Sequence, residues 1–289
     1  MIVITGGSGQ LGREIVQRLA QRVAPTQIAV SVRDPERASD LRALGVRVRR
    51  GDFTDPKSLL EAFEGASQIL LVSSNARAHG GDALAQHRAA IEAARQVGAK
   101  RVVYTSHMAA SPTSAFTPMH DHAATEEMLR GSGLAWTALR HGFYASSGIA
   151  IMGNAFESGV LAAPEDGKVS WTAHADLAEA AAIILDDEGR FDGPTPPLTG
   201  AAALDFGDLA QIASELQDKP IRRRIITDAA LRAGMQARGV PDTAIEIATG
   251  LYLAARNGEL AQVDPTLERL LGRKPVAMRS LIAAKISRA

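Results

Sequence analysis

The 289-residue chain has no cysteine. That absence excludes disulfides, thiolate catalysis and cysteine-ligated zinc. It has no charge surplus either, with 32 basic residues against 32 acidic. Neither nucleic acid nor an anionic membrane surface is therefore favoured as a partner. The one basic block, Arg222-Arg223-Arg224, sits in an apolar-flanked segment and reads as a solvated strand end. No apolar run reaches the roughly 18 residues that a membrane-spanning helix needs. No charged region precedes the first apolar run, which reads as a strand and not as a signal peptide. The expectation is a cytoplasmic protein with no membrane insertion. There is no repeat or low-complexity stretch, and the proline-rich spot at 194–197 reads as a loop. Nothing in the sequence sets an oligomeric state.

What is present starts at residue 2. The run Ile2–Thr5 meets a turn, Gly6-Gly7-Ser8-Gly9-Gln10-Leu11-Gly12, and a helical pattern follows. Gly6, Gly9 and Gly12 form GxxGxxG. A strand feeding a helix through such a turn offers backbone N–H groups to an anion at the positive end of the helix. Gly6 permits the tight turn, Gly9 lets a pyrophosphate approach, and Gly12 allows close helix–sheet packing. The strand and helix on either side are the context that a dinucleotide-binding turn requires.

Thr26–Val32 reads as the second strand, with Arg33-Asp34-Pro35 ending it. Dinucleotide folds discriminate the ribose 2′ group at this strand tip, about 20 residues past the glycines. An arginine there presents a donor fork to a 2′-phosphate, so Arg33 favours NADP over NAD. Asp52-Phe53 follows the third strand, where a side chain could reach the adenine; a capping acid and a core aromatic are the alternative. Ser73-Ser74-Asn75 follows the fourth strand and suits a ribose or nicotinamide contact, or an ordinary approach to a helix.

Strands at Ile2–Thr5, Ile28–Val32, Val46–Arg49, Ile69–Val72, Arg101–Thr105 and Trp136–Leu139 alternate with helical patterns. The helices fall at Gly12–Gln21, Pro35–Leu44, Pro56–Glu64, Ala83–Val97 and Ala123–Arg130. Gly45, Gly65, Gly98 and Gly133 mark helix ends. This alternation predicts an α/β fold, a doubly wound parallel Rossmann sheet. The expected organisation is an NADP-binding domain over 1–145 and a smaller α+β substrate-binding region over 146–289. In the latter, Val169–Thr172 and Pro197–Thr199 read as short strands. Helices are expected at Asp176–Leu185, Phe206–Leu216, Asp228–Gly234, Asp242–Asn257 and Pro265–Leu271. Asp176, Asp205 and Asp228 suit N-caps or first helical turns.

The segments TGGSGQLG, SVRDP, GDF, LLVSS, YTS and LRHGFY, in this order and spacing, resemble the NmrA-like group of atypical short-chain dehydrogenases. Within that group the chain is most similar to members that reduce quinones and triphenylmethane dyes, and the likeness runs nearly end to end. The resemblance implies NADPH bound by Gly6 to Gly12, Arg33, Ser73–Asn75 and the stretch Arg140–Tyr144, with Phe143 and Tyr144 beside the nicotinamide.

Typical short-chain dehydrogenases carry Tyr-x-x-x-Lys, in which lysine lowers the tyrosine pKa. This chain has no such pair; Met108 stands four residues after Tyr104. Where many NmrA-like proteins carry lysine, it has His122. A quinone or cationic dye is already electrophilic and needs little proton delivery at the start. The missing pair thus argues against alcohol dehydrogenation and against a nucleotide-sugar epimerase. It leaves an NADPH-dependent reductase of planar conjugated electrophiles, or a non-catalytic NADP-binding redox sensor. Tyr144, His107 and His122 are the candidate catalytic residues. The two histidines would orient substrate or relay a proton, or else are satisfied side chains. His120-x-His122 has no third ligand nearby, so no metal is expected. Phe116 and Trp171 suit an aromatic pocket or ordinary packing.

Overall fold

The β-branched runs of the N-terminal half become parallel strands buried on both faces, as a sheet covered by helices requires, and only the edge strand over 47–50 stays largely exposed. They were traced in a computed structural model that describes residues 1–287. The strands are β1 (Ile2–Thr5), β2 (Ile28–Val32), β3 (Arg47–Arg50), β4 (Gln68–Leu71), β5 (Arg101–His107) and β6 (Ala135–His141). With β10 (Gly193–Pro194) they form one seven-stranded parallel sheet in the order β3-β2-β1-β4-β5-β6-β10. The order reverses between β1 and β4. Open α/β sheets bind ligands at such a switch point, outside the carboxyl ends of the strands.

Strands β5 and β6 each run two residues beyond their expected ends, to His107 and His141, because their register continues through Ser106↔Arg140 and His107↔His141. The expected loop at 194–197 is corrected at its first residue. Gly193 and Pro194 pair with Thr137 and Ala138 at the sheet edge, where a proline's missing N–H is tolerated. The expected strand Pro197–Thr199 reduces to a single bridge between Leu198 and His141.

The layers over the sheet come from α1 (Gln10–Leu19), α2 (Ser39–Ala43), α3 (Pro56–Phe63), α4 (Ala83–Gln96) and α5 (Pro118–Arg130). The expected helix Pro35–Leu44 divides into a 3-10 turn, Pro35–Ala38, and α2; Asp34 caps the turn by accepting from Glu36 N–H (3.1 Å). Helix α5 begins at Pro118 and not at Ala123. Proline fits there because the first-turn N–H groups have no intrahelical acceptor.

Beyond Tyr144 the chain serves two cores. Helix α8 (His174–Asp186) lies against α1, and its Leu177, Ile184 and Leu185 join Ile4, Ile15 and Val30 in one cluster. A separate cluster joins Phe116, Trp171, Phe206, Tyr252 and Ile282. It draws on α6 (Ala145–Met152), α9 (Phe206–Gln217), α11 (Asp242–Arg256) and α13 (Met278–Ile286). The elements α6, β8 (Val160–Pro164) and α13 were not expected from sequence. Strand β11 (Arg222–Ile226) pairs with β8; Arg222 and Arg224 face solvent, whereas Arg223 turns inward to Asp166 (3.1 Å). Asp205 makes a capping box with Asp208. Asp176 lies in the first turn of α8, fully buried, and accepts from Arg273 (2.8 Å) and Val276 N–H (2.6 Å). No helix among the described residues is long and apolar enough to cross a membrane.

Candidate active site

The turn after β1 is built as a cradle. Gly6 has φ +63°, which favours glycine, and its N–H donates to Ser31 O (3.1 Å), tying the turn to β2. Gly9 caps α1 with no side-chain partner, so N–H groups of the first helical turn face the open crevice. A Cβ on Gly9 would meet only Gly6 O, at 3.3 Å, but one on Gly12 would lie 2.4 Å from the same oxygen. Gly12 is therefore required by the turn itself and not by the sheet behind it.

A crevice of about 770 Å³ opens above these residues. It brings together Gly6, Ser8, Gly9 and Arg33 with Asp52, Phe53, Ser73, Ser74 and Asn75, as expected from sequence. Arg37, Thr54, His79 and Gln86 also line it and were missed. Arg33 and Arg37 are exposed, and neither has an ion-pair partner among the described residues. The acid beside them, Asp34, is occupied as a cap. This edge of the crevice thus presents two free guanidinium groups, a match for a phosphate dianion. Asp52 accepts from Thr54 N–H (2.9 Å) and Thr54 Oγ1 (2.8 Å), and these bonds hold its carboxyl below the usual value.

The opposite wall is fixed by part-buried hydrogen bonds. Ser73 N–H donates to Thr105 Oγ1 (2.8 Å) and Ser74 N–H to His87 Nε2 (2.8 Å). His87 passes a bond from Nδ1 to Thr125 Oγ1 (2.8 Å); burial pushes its pKa down to about 4, so it is neutral. Arg77 grips Asp121 at the start of α5 with two 2.5 Å contacts.

Other expected residues lie elsewhere. Gly7 is buried, with the space a Cβ would take lying 3.0 Å from Val30; Leu11 is in the core; Gln10 donates to Glu14 (3.3 Å) on the outer face of α1. Arg140 does not line the crevice. It makes a bidentate pair with Glu126 on α5 (3.1 and 2.7 Å), which also accepts from Ser106 Oγ (2.6 Å). A carboxylate whose side chain is only 4 % exposed needs such a partner.

Of the candidate catalytic side chains, His107 at the end of β5 and His122 on α5 are neighbours, whereas Tyr144, three residues past β6, packs on His174. Tyr104 is fully buried and bonded through Oη to His122 Nδ1 (2.8 Å). His107 lies 6.1 Å from His122 between ring centres and edge-on to Phe143 at 5.6 Å. Phe143 in turn contacts Phe116 and Trp171, so the aromatic residues flagged in the sequence do meet. Tyr144 packs on His174 with ring centres 4.2 Å apart, and burial pushes its hydroxyl up to about 12. Burial pushes both His107 and His122 down to about 3, so both are neutral near pH 7. His120 bonds Ser114 O (2.8 Å).

Beside this arrangement of glycine turn, neutral imidazoles and aromatic rings stand the comparisons with known proteins. A family model described as NAD(P)H-binding matches residues 6–188. The chain belongs to this NAD(P)H-binding family. Its NmrA-like, oxidoreductase relatives include quinone oxidoreductase 2 of Escherichia coli, 34 % identical over 273 residues, covering 94 % of each chain. The crystal structure of that NADPH-dependent enzyme with NADPH superposes with a TM-score of 0.90 over 100 % of this chain and 99 % of the other, at 33 % identity. The Citrobacter triphenylmethane reductase complexed with NADP(H) gives 0.88 at 30 % identity, over 99 % and 100 %. The matched segment begins at Gly6, the first glycine of the turn that lines the crevice.

Proposed function

We propose that this chain is an NADPH-dependent reductase that delivers hydride to a quinone or similar conjugated electrophile. The observation that carries the reading is the crevice at the switch point of the sheet, which joins the glycine turn to Arg33 and Arg37 on its β2 side and to Ser73–Asn75 on its β4 side, the side on which β5 and β6 carry the histidine and aromatic cluster. The crevice residues fit the cofactor. The start of α1 and Ser8 would hold the pyrophosphate, the two guanidiniums the 2′-phosphate, and Ser73–Asn75 the ribose side. NADPH, when bound, supplies the hydride.

Everything else is work for the protein. Phe143 and Tyr144 would fix the face of the nicotinamide, and the region 146–289 would cover the acceptor. Tyr104, Tyr144 and Tyr252 are followed four residues later by Met108, Gly148 and Arg256, so none forms a Tyr-x-x-x-Lys pair. Catalysis would rest on proximity and exclusion of water, with the acceptor carbon stacked about 3–3.5 Å from the donor carbon. A cytoplasmic enzyme with a small planar molecule as partner is the setting this reading gives.

The test is acceptor-dependent oxidation of NADPH deuterated at 4R or at 4S, with 1,4-benzoquinone. Label loss from one face supports direct transfer. If NADPH binds tightly but no quinone, dye or enone oxidises it, the chain is a redox-sensing NADP-binding protein instead.

A further inference from the structure

Two histidines near the reacting end have their tautomers dictated by the protein. Ala109 N–H points at His107 Nδ1 (3.1 Å). A backbone N–H can only donate, so Nδ1 is the acceptor and the ring proton sits on Nε2. His107 is 9 % exposed, and its Nε2 has no partner among the described residues. For His122 the logic runs through Tyr104. Thr125, the other hydroxyl of this network, already donates to Asp121 O (2.6 Å) and accepts from His87. Among the described residues the buried Tyr104 hydroxyl has one partner within hydrogen-bond geometry, His122 Nδ1. A buried O–H without an acceptor is costly, so Tyr104 donates and His122 also carries its proton on Nε2. His87 has the opposite assignment, because Ser74 N–H occupies its Nε2.

The two Nε2–H groups come from different elements, β5 and α5, on rings 6.1 Å apart. Strand β5 reaches the crevice wall just before His107: Thr105, two residues earlier on the same face, accepts from Ser73 N–H. His141, the register partner of His107, has both ring nitrogens buried without a partner. Native structures leave few such groups unpaired, and a concentration of them at a strand tip marks a place for a polar ligand atom.

We propose that His107 and His122 form a two-donor site for the carbonyl oxygen of the acceptor, with Tyr104 as the positioning residue that holds the His122 proton on Nε2. This rests on the reductase reading above and narrows its substrate to acceptors that bear a carbonyl oxygen. Reduction of a quinone to its hydroquinone takes hydride from NADPH and one proton from water, leaving NADP⁺. Negative charge develops on the quinone oxygen before that proton arrives, and preorganised donors in a water-poor site stabilise it. The site thus does by hydrogen bonding what a Tyr–Lys pair does by proton transfer.

The experiment uses the full chain. Long-range ¹H–¹⁵N spectra of the histidine rings read the tautomers directly: His107 and His122 as Nε2–H, His87 as Nδ1–H. An Nδ1–H form of either His107 or His122 overturns the proposal. For activity, His122→Leu should lower kcat with benzoquinone by about 10²-fold, the usual effect of removing one such donor. His122→Gln, which restores an N–H, should recover at least tenfold of it, with NADPH affinity within threefold throughout. Tyr104→Phe should lower kcat about tenfold at unchanged KM for NADPH. Turnover of a triphenylmethane cation, which has no carbonyl, should fall less than quinone turnover in each variant. Equal losses on both acceptors, or no rescue by glutamine in a folded protein, overturn the proposal. If none of these acceptors oxidises NADPH with the wild type, the reductase reading fails on its own. Hydroquinone binding to the NADP⁺-loaded protein then decides the donor site: a tenfold weakening in His122→Leu supports it, and no binding or equal binding overturns it.

Discussion

Gly9 and Gly12 look interchangeable in the motif, but the structure separates their roles, and two substitutions expose the difference. Gly9 has φ −80° and ψ 166°, a backbone that any residue adopts. Its added Cβ would make one tight contact, 3.3 Å to Gly6 O. Gly9→Val should therefore fold, with a cap penalty of at most about 1 kcal/mol. For a chain of this size that is a Tm change of roughly 2–4 °C. The isopropyl group would occupy the space of the pyrophosphate. Losing two charge-assisted N–H contacts at about 1.5–3 kcal/mol each should weaken NADPH by about 10²–10⁴-fold. Gly12→Ala behaves in the reverse way. Its Cβ would meet Gly6 O at 2.4 Å, Gly6 C at 2.9 Å and Gly7 Cα at 3.2 Å, all backbone atoms. The turn must open, at about 1–3 kcal/mol, so Tm falls by roughly 2–12 °C. Thermal unfolding of the apo proteins and fluorescence titration with NADPH measure both effects. A folded Gly9→Val protein that binds NADPH within threefold of wild type would refute the reasoning, as would a Gly12→Ala protein with unchanged Tm.

Other expectations follow from single contacts. Arg33→Ala should weaken NADPH by about 10–100-fold and leave NADH nearly unchanged, since a charge-assisted contact is worth about 1.5–3 kcal/mol; equal weakening of both cofactors in titration makes Arg33 structural. Arg140→Ala strands the buried Glu126 and should destabilise by about 3 kcal/mol in urea unfolding, with NADPH affinity within threefold; intact stability with a large affinity loss would return Arg140 to the cofactor site. Burial lowers His87 to about 4 and His107, His122 and His141 to about 3. The unfolded chain binds their protons first, so stability is full above about pH 6.5 and falls as pH drops toward the folded values. At pH 5.5 the four together should remove about 5 kcal/mol, and urea titrations at pH 7.5 and 5.5 that agree within 1 kcal/mol would contradict the burial.

The crevice half of the candidate site was legible because its determinants are local. A glycine turn between a β-branched strand and a helix needs only neighbours in sequence, and Arg33 follows from counting to the next strand tip. Short apolar runs between helices likewise specify a parallel sheet, since only strands covered on both faces read that way. Arg37 escaped notice because it lies in a 3-10 turn whose approach to the crevice depends on how β2 and β3 pack.

The reacting end was decided by tertiary structure. Arg140 belongs to an LRHGFY segment that resembles a cofactor contact, yet Glu126, 14 residues earlier on another element, claims it. Tyr104 and His122 are 18 residues apart, and only the packing of α5 on β5 brings hydroxyl to imidazole and so fixes which nitrogen carries the proton. Periodicity and motif report what a residue's own backbone will do. Burial, tautomer and ion pairing depend on which atoms arrive from elsewhere in the chain, and no local pattern contains them.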